Sequence, residues 1–190
     1  MENIKPKIVV LDGPSGVGKD TIVNMLITNY PDTYVKMPST TTRAMRENES
    51  QGKPYFFVTE DEFKAKIASK DVFEYTITKR DGAYKGMSKG IIDEIAKTGK
   101  VQIKDCDEVG LNALRKEYGK VVTIFLMIEK DEIEKRLRCR GGTDADIQNR
   151  LSDYDDYIDY KKEFEHIVPN TDASKCVADV HAIISNSYAE

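Results

Sequence analysis

Gly13-Pro14-Ser15-Gly16-Val17-Gly18-Lys19 is the stretch of this chain best suited to cradle a phosphate chain. Glycines at this spacing let the backbone turn so that several N–H groups point at one anion. A helix opening just after it adds its positive N-terminal dipole, and Lys19 can reach the outer phosphates. The stretch matches the GxxxxGK part of a P-loop. Gly13, Ser15, Gly16, Val17, Gly18, Lys19, Asp20 and Thr21 are therefore the expected contacts of a nucleoside triphosphate such as ATP. Asp20 stands where the pattern has the Ser or Thr that ligates Mg²⁺, with Thr21 next. A carboxylate is also a hard oxygen ligand, so Asp20 is the candidate Mg²⁺ ligand and phosphoryl transfer survives the change.

Of eight arginines, two lie at Arg43 and Arg46 and four between Arg136 and Arg150. Arginine gathered in two short windows of a chain with net charge -4 reads as two anion sites. Arg43 and Arg46, with the Tyr55 hydroxyl nearby, can grip a phosphate dianion. A P-loop by itself leaves GTPases, ATPases and kinases open. Asp107-Glu-Val-Gly110 and Thr78-Lys-Arg-Asp81 look like GTPase motifs but occur in the reverse of the GTPase order, so both are chance matches.

Ser39-Thr-Thr-Thr-Arg43-Ala-Met-Arg46-Glu-Asn-Glu49-Ser-Gln-Gly52-Lys-Pro-Tyr55-Phe-Phe-Val58 resembles the GMP-binding signature of guanylate kinases, in register throughout. The resemblance implies that Arg43, Arg46 and Tyr55 hold the GMP phosphate and that Ser39 faces the base. Glu74 falls where the family has an acid that accepts from guanine N1 and N2. Asp105 and Asp107 resemble the family's D-x-D and are implied in positioning base and Mg²⁺. Arg136-Leu-Arg-Cys-Arg140-Gly-Gly-Thr143-Asp144 resembles the lid motif with one extra Gly, and Arg150 a further lid arginine. Arg136, Arg140 and Arg150 would then join Lys19 and Mg²⁺ around the transferred phosphoryl. Asn170 resembles a residue beside the ATP base. In Gly82-Ala-Tyr84-Lys85-Gly86-Met87-Ser88 the chain departs from the family: Lys85 stands for a phosphate-binding Tyr, with Tyr84 the alternative, and Met87 for a hydroxyl.

The implied activity is transfer of the ATP γ-phosphoryl to GMP, with small-molecule substrates as the partners. Asp20 also resembles a related branch that phosphorylates ribose 1,5-bisphosphate, although that branch lacks the full signature. A non-catalytic guanylate-kinase-like binding module would have lost Lys19 and the lid arginines.

These residues need a scaffold, and the chain alternates strand and helix patterns to supply one. Lys7–Leu11, Tyr34–Met37, Val101–Ile103, Val121–Ile128 and His166–Val168 read as core strands. Thr21–Asn29, Glu108–Tyr118, Asp131–Arg138 and Ser174–Ile184 read as helices. Such alternation predicts an α/β fold, here a three-layer P-loop kinase core with a five-stranded parallel sheet. The core is expected over 1–38, 89–130 and 161–190. A small mixed α+β GMP-binding insertion spans 39–88 and a helical lid 131–160. The 190 residues suit one domain.

The acidic balance, 29 Lys+Arg against 33 Asp+Glu, argues against a nucleic-acid partner. Cys106, Cys139 and Cys176 form no pair motif and are expected at or near the core, in a reducing compartment. With no signal-like or spanning apolar run, the expectation is a cytoplasmic protein without a membrane partner, monomeric or homodimeric. The run Asp153–Asp159 looks metal-binding, but Ile147, Leu151, Tyr154 and Ile158 share a helical face, which leaves the acids to solvent. His166 and His181 have no partner at a catalytic spacing.

Overall fold

Ile8, Val9, Val10 and Leu11 are all fully buried, and successive side chains enter opposite layers. Val9 and Leu11 pack with Ile22, Leu26, Val177 and Val180, whereas Ile8 and Val10 pack with Ile92, Leu111, Leu114 and Phe125. A strand apolar on both faces needs helices on both faces, and that requirement builds the core. The computed structural model describes residues 4–79, 81–152 and 154–189. Arg80 of the GTPase-like match and Asp153 of the acidic run fall outside them.

Strands β1 (Lys7–Asp12), β2 (Tyr34–Lys36), β7 (Val101–Lys104), β8 (Val122–Met127) and β9 (His166–Pro169) form one sheet in the order β2-β7-β1-β8-β9. Every pairing in it is parallel. Helices α1 (Lys19–Asn29) and α8 (Ala173–Ser187) cover one face, and α3 (Lys89–Ala96) and α4 (Glu108–Tyr118) the other. The five-stranded parallel sheet is the one expected from the alternation. Helix α3 was not singled out from the sequence, although Ile91, Ile92, Ile95 and Ala96 fall at helical spacing and bury Ile92 and Ala96.

Between β2 and α3 the chain builds a second sheet from β3 (Ser39–Thr41), β4 (Tyr55–Phe57), β5 (Val72–Ile77) and β6 (Tyr84–Ser88), in the order β4-β3-β6-β5. It is mixed: β3 runs parallel to β4, and β6 antiparallel to β3 and β5. Helix α2 (Glu60–Ala68) opens with a reciprocal cap. The Thr59 hydroxyl accepts from Glu62 N at 3.2 Å, and Glu62 Oε2 accepts from Thr59 N at 2.7 Å. An irregularity in the β5–β6 pairing leaves Phe73 without a partner and sets Glu74 opposite Met87. Phe73 then packs toward the core while Glu74 turns into a cavity.

Helices α5 (Lys130–Cys139) and α6 (Asp144–Leu151) are separated by Gly141-Gly142, and α7 (Tyr154–Tyr160) follows. Ile147, Leu151 and Tyr154 are buried, with Ile158 packed beside them, although the face is shared by two helices rather than one. Asp155, Asp156 and Asp159 are exposed. The cysteines differ from expectation in one case: Cys176 is buried and Cys106 half-buried, but Cys139, ending α5 beside the glycine break, is exposed. Among the described residues no helix is long and apolar enough to cross a membrane.

Candidate active site

The glycine-rich turn lies between β1 and α1. A Cβ at Gly13 would sit 2.3 Å from Leu126 O, so the turn approaches β8 too closely for any side chain there. Gly18, at φ 102°, caps α1 in the left-handed region and leaves the helix N-terminus facing the loop. Lys19 Nζ donates to Gly13 O and Pro14 O and lies 3.4 Å from Asp12 Oδ1. Burial raises the pKa of Asp12, and the Lys19 ammonium opposes the rise. Asp12 was not anticipated; its signal is an acid ending an otherwise apolar buried strand.

One cavity is lined by Ser15, Gly16, Gly18, Lys19, Asp20, Thr21, Arg140 and Arg150. Arg150 Nη1 donates to Ser15 Oγ at 3.1 Å, which ties α6 to the loop. Two of the three lid arginines expected at the transferred phosphoryl are therefore at the cavity. Arg136 is placed elsewhere: it donates to Asn170 O at 2.8 Å and to Val17 O and Thr171 O at 3.4 Å. Asn170, expected against adenine, is buried beneath the loop, where Nδ2 donates to Val17 O at 2.7 Å. Both side chains brace the loop backbone. Val17, expected among the ATP contacts, is itself fully buried: its N–H donates to Pro14 O at 3.2 Å and its carbonyl accepts from Asn170 and Arg136, so its place is in the frame of the loop.

Asp20 is exposed and pairs with Lys36 at 2.9 Å. That bond, ahead of all other effects, holds its carboxyl below the usual range and keeps it ionised at neutral pH. Among the described residues no group of three or more His, Cys, Asp or Glu could hold a metal ion by itself. A single ionised carboxylate beside a phosphate cradle fits Mg²⁺, which takes one or two carboxylates and completes its shell with phosphate and water.

The mixed sheet carries two further cavities that share Lys85. The first is lined by Thr41, Arg43, Arg46, Glu49, Tyr55, Thr78, Asp81 and Lys85. Arg43 lies 5.4 Å above both the Tyr55 and Phe57 rings, and Lys85 Nζ 5.5 Å above the Tyr55 ring. These cations are stacked on aromatic rings at the edge of the cavity, an arrangement suited to receiving an anion. Tyr84 points the other way, against Phe63 and Tyr75, because neighbours on a strand alternate faces. Of the two candidates, the cavity receives Lys85.

The second cavity is lined by Ser39, Glu74, Thr76, Lys85, Met87, Lys104, Asp105, Cys106 and Asp107. Burial, then Asp107, raises the pKa of Glu74, while Lys104 and Lys85 oppose. Asp107 also caps α4, accepting from Gly110 N at 3.0 Å. Ser39 Oγ accepts from Lys104 Nζ. Lys104 was not singled out from the sequence; its signal is a lysine closing an apolar strand directly before an acid. Burial, then Lys85, pushes its ammonium down to about 8.

A P-loop at the carboxyl end of a parallel sheet, together with a separate arginine-lined cavity that adjoins a polar pocket, fits a P-loop kinase whose acceptor brings its own phosphate. The guanylate kinase family model matches residues 5–187. A guanylate kinase of Chlamydia caviae is 36% identical over 172 residues, 90% of this chain and 83% of the relative. One from Symbiobacterium thermophilum is 32% identical over 184 residues, 95% of this chain and 86% of the relative. The crystal structure of guanylate kinase from Anaplasma phagocytophilum shares the fold, with TM-score 0.69 and 24% identity over 100% of this chain and 90% of that one. The chain belongs to the guanylate kinase family, and is thus a nucleoside monophosphate kinase.

Proposed function

We propose that the enzyme transfers the γ-phosphoryl of ATP to the phosphate of GMP, giving ADP and GDP, with the residues of the three cavities in the following roles. The observation that carries this reading is the pair of adjoining cavities joined at Lys85: one that gathers Arg43, Arg46 and Lys85, one with Glu74 on its wall. Arg43, Arg46, Lys85 and Tyr55 hold the GMP phosphate. Glu74 accepts from guanine N1–H and N2–H, with Ser39 on the same edge and Asp105 and Asp107 bordering it. A sugar bisphosphate would leave the Glu74 carboxylate facing a second anion.

The attacking oxygen of GMP is already anionic near neutral pH, so no general base is needed and catalysis reduces to alignment and charge neutralisation. Lys19, Arg140 and Arg150 surround the transferred phosphoryl, and the loop from Gly13 to Gly18 presents backbone N–H groups to the ATP phosphates, with Asp20 and Thr21 beside them. Arg136 and Asn170 hold that loop in shape. Mg²⁺ that arrives with ATP would be held by the phosphates and Asp20, and would offset charge on the transferred group. Residues 39–88 form the acceptor-binding unit and residues 131–160 a lid whose closure excludes water. Such an enzyme, with unpaired thiols, suits the cytoplasm.

Glu74→Gln tests the reading. It replaces one acceptor oxygen by an NH₂ group facing a guanine N–H, and kcat/KM for GMP falls about 10- to 100-fold. Unchanged GMP kinetics would remove Glu74 from the site.

A further inference from the structure

Lys104 ends β7 at 6% exposure and lines the same cavity as Glu74. An ammonium carries three donors. Among the described residues its hydrogen-bond partner is Ser39 Oγ, and no carboxylate lies within ion-pair distance. Donors are therefore left toward the cavity from a buried charge, an arrangement that costs stability and that an apolar side chain would avoid. Val101, Gln102 and Ile103, the other residues of the strand, are buried as well, so nothing draws a lysine there for solubility.

The alternation of groups on the wall says what those donors meet. The guanine edge presents N2–H and N1–H donors, then the O6 acceptor. Glu74 is an acceptor, and Lys104 with Ser39 supplies donors on the same wall. Building on the guanine reading of this cavity, we infer that Lys104 is a specificity-determining residue that donates to O6 of the acceptor base. Adenine presents an amino group there, and its hydrogens would meet the ammonium head-on. Glu74 rewards guanine, and Lys104 penalises adenine.

The titratable groups facing Lys104 are Lys85 from β6, Glu74 from β5, and Asp105, Cys106 and Asp107 from the turn after β7. The ammonium loses its proton near pH 8, within an accessible range. Deprotonation removes a charged donor, so KM for GMP in the unmodified enzyme rises as pH passes about 8. KM for 2-aminopurine riboside 5′-monophosphate, which has hydrogen in place of O6 and a bare ring nitrogen in place of N1–H, does not follow. In Lys104→Met the rise for GMP near pH 8 is lost, which separates it from ionisation of the guanine N1–H common to both proteins.

The deciding experiment compares Lys104→Met with the unmodified enzyme on GMP, IMP and 2-aminopurine riboside 5′-monophosphate, after a thermal melt shows that the variant folds. Removing a charged donor from O6 lowers kcat/KM for GMP and IMP about 10- to 100-fold, while the 2-aminopurine nucleotide changes less than about threefold. An equal fall for all three would mean that Lys104 acts only through Ser39 or the fold, and would overturn the inference alone. Absence of GMP turnover by the unmodified enzyme would overturn the guanine reading and the inference with it. If the Met variant does not fold, Lys104→Leu is put through the same three-substrate comparison, and an equal fall for all three counts against Lys104.

Discussion

One guanidinium nitrogen of Arg43, Nη2, donates to both carboxylate oxygens of Glu49, at 2.8 and 2.9 Å. Glu49 Oε2 also accepts from Arg46 N at 2.9 Å. One acid thus fixes the side chain of the first arginine and the backbone of the second. It also holds the Arg43 carbon-nitrogen plane over Tyr55 and Phe57. Glu49→Gln keeps the volume and loses the charge that orients Arg43. KM for GMP rises about tenfold with a smaller change in kcat, since the loss is in acceptor binding. Steady-state kinetics with GMP varied at saturating ATP checks this, and an unchanged KM would show that Arg43 orients itself.

Lys85 and Tyr84 make opposite predictions. On the proposed reading Lys85 sets a positive charge beside the acceptor phosphate, so Lys85→Met raises KM for GMP and flattens its dependence on salt between about 50 and 300 mM. Tyr84→Phe removes a hydroxyl from the far face of the sheet and leaves both quantities unchanged. A rise in KM confined to Tyr84→Phe would reverse the assignment.

Asp20 is tested by titrating Mg²⁺ at fixed ATP. Asp20→Ala shifts the half-saturating Mg²⁺ concentration upward, and Asp20→Ser, which restores the hydroxyl of the usual P-loop, recovers most of the activity. Superimposable titrations for the three proteins would leave the Lys36 ion pair as the whole role of Asp20.

Lys104 also predicts how stability varies with pH. Its pKa is lowered by burial from 10.5 to about 8, so below 8 both folded and unfolded chains carry its proton and stability is flat in this term. Between those values the unfolded chain binds more protons, and stability rises with pH. Lys104→Met removes the buried charge and melts at a higher temperature at pH 7. The gap between the two proteins narrows as pH rises from about 8 toward 10. Chemical denaturation at pH 7 and pH 9.5 measures it, and a constant gap would contradict the burial of a charged Lys104.

The core was legible because its strands are short apolar runs, Ile8–Leu11 above all, and such runs are buried on both faces wherever they occur. The phosphate loop and the arginine signature were legible because their chemistry depends on residues close in sequence. What escaped depends on distance in sequence. Lys104 acquires meaning only when β3 brings Ser39 to it across 65 positions, and Asn170 only when it is folded under Val17, 153 positions away. Arg136 and Arg150 stand in one helical window, yet the window bends at Gly141-Gly142 and sends one to the loop backbone and the other to the cavity. Glu49 was in view within the signature, but its hold on both arginines needed the turn to be built.

Guanine recognition through Glu74 and Lys104 is the central claim, and a single assay addresses it most directly. ADP release is followed with ATP and Mg²⁺ while GMP, dGMP, AMP, UMP, CMP and ribose 1,5-bisphosphate are offered in turn at equal concentration. The account predicts rapid release with GMP, and release with AMP lower by at least about 100-fold, because adenine lacks the donors for Glu74 and opposes Lys104 with its amino group. Comparable turnover of AMP, or turnover of ribose 1,5-bisphosphate ahead of GMP, would contradict it.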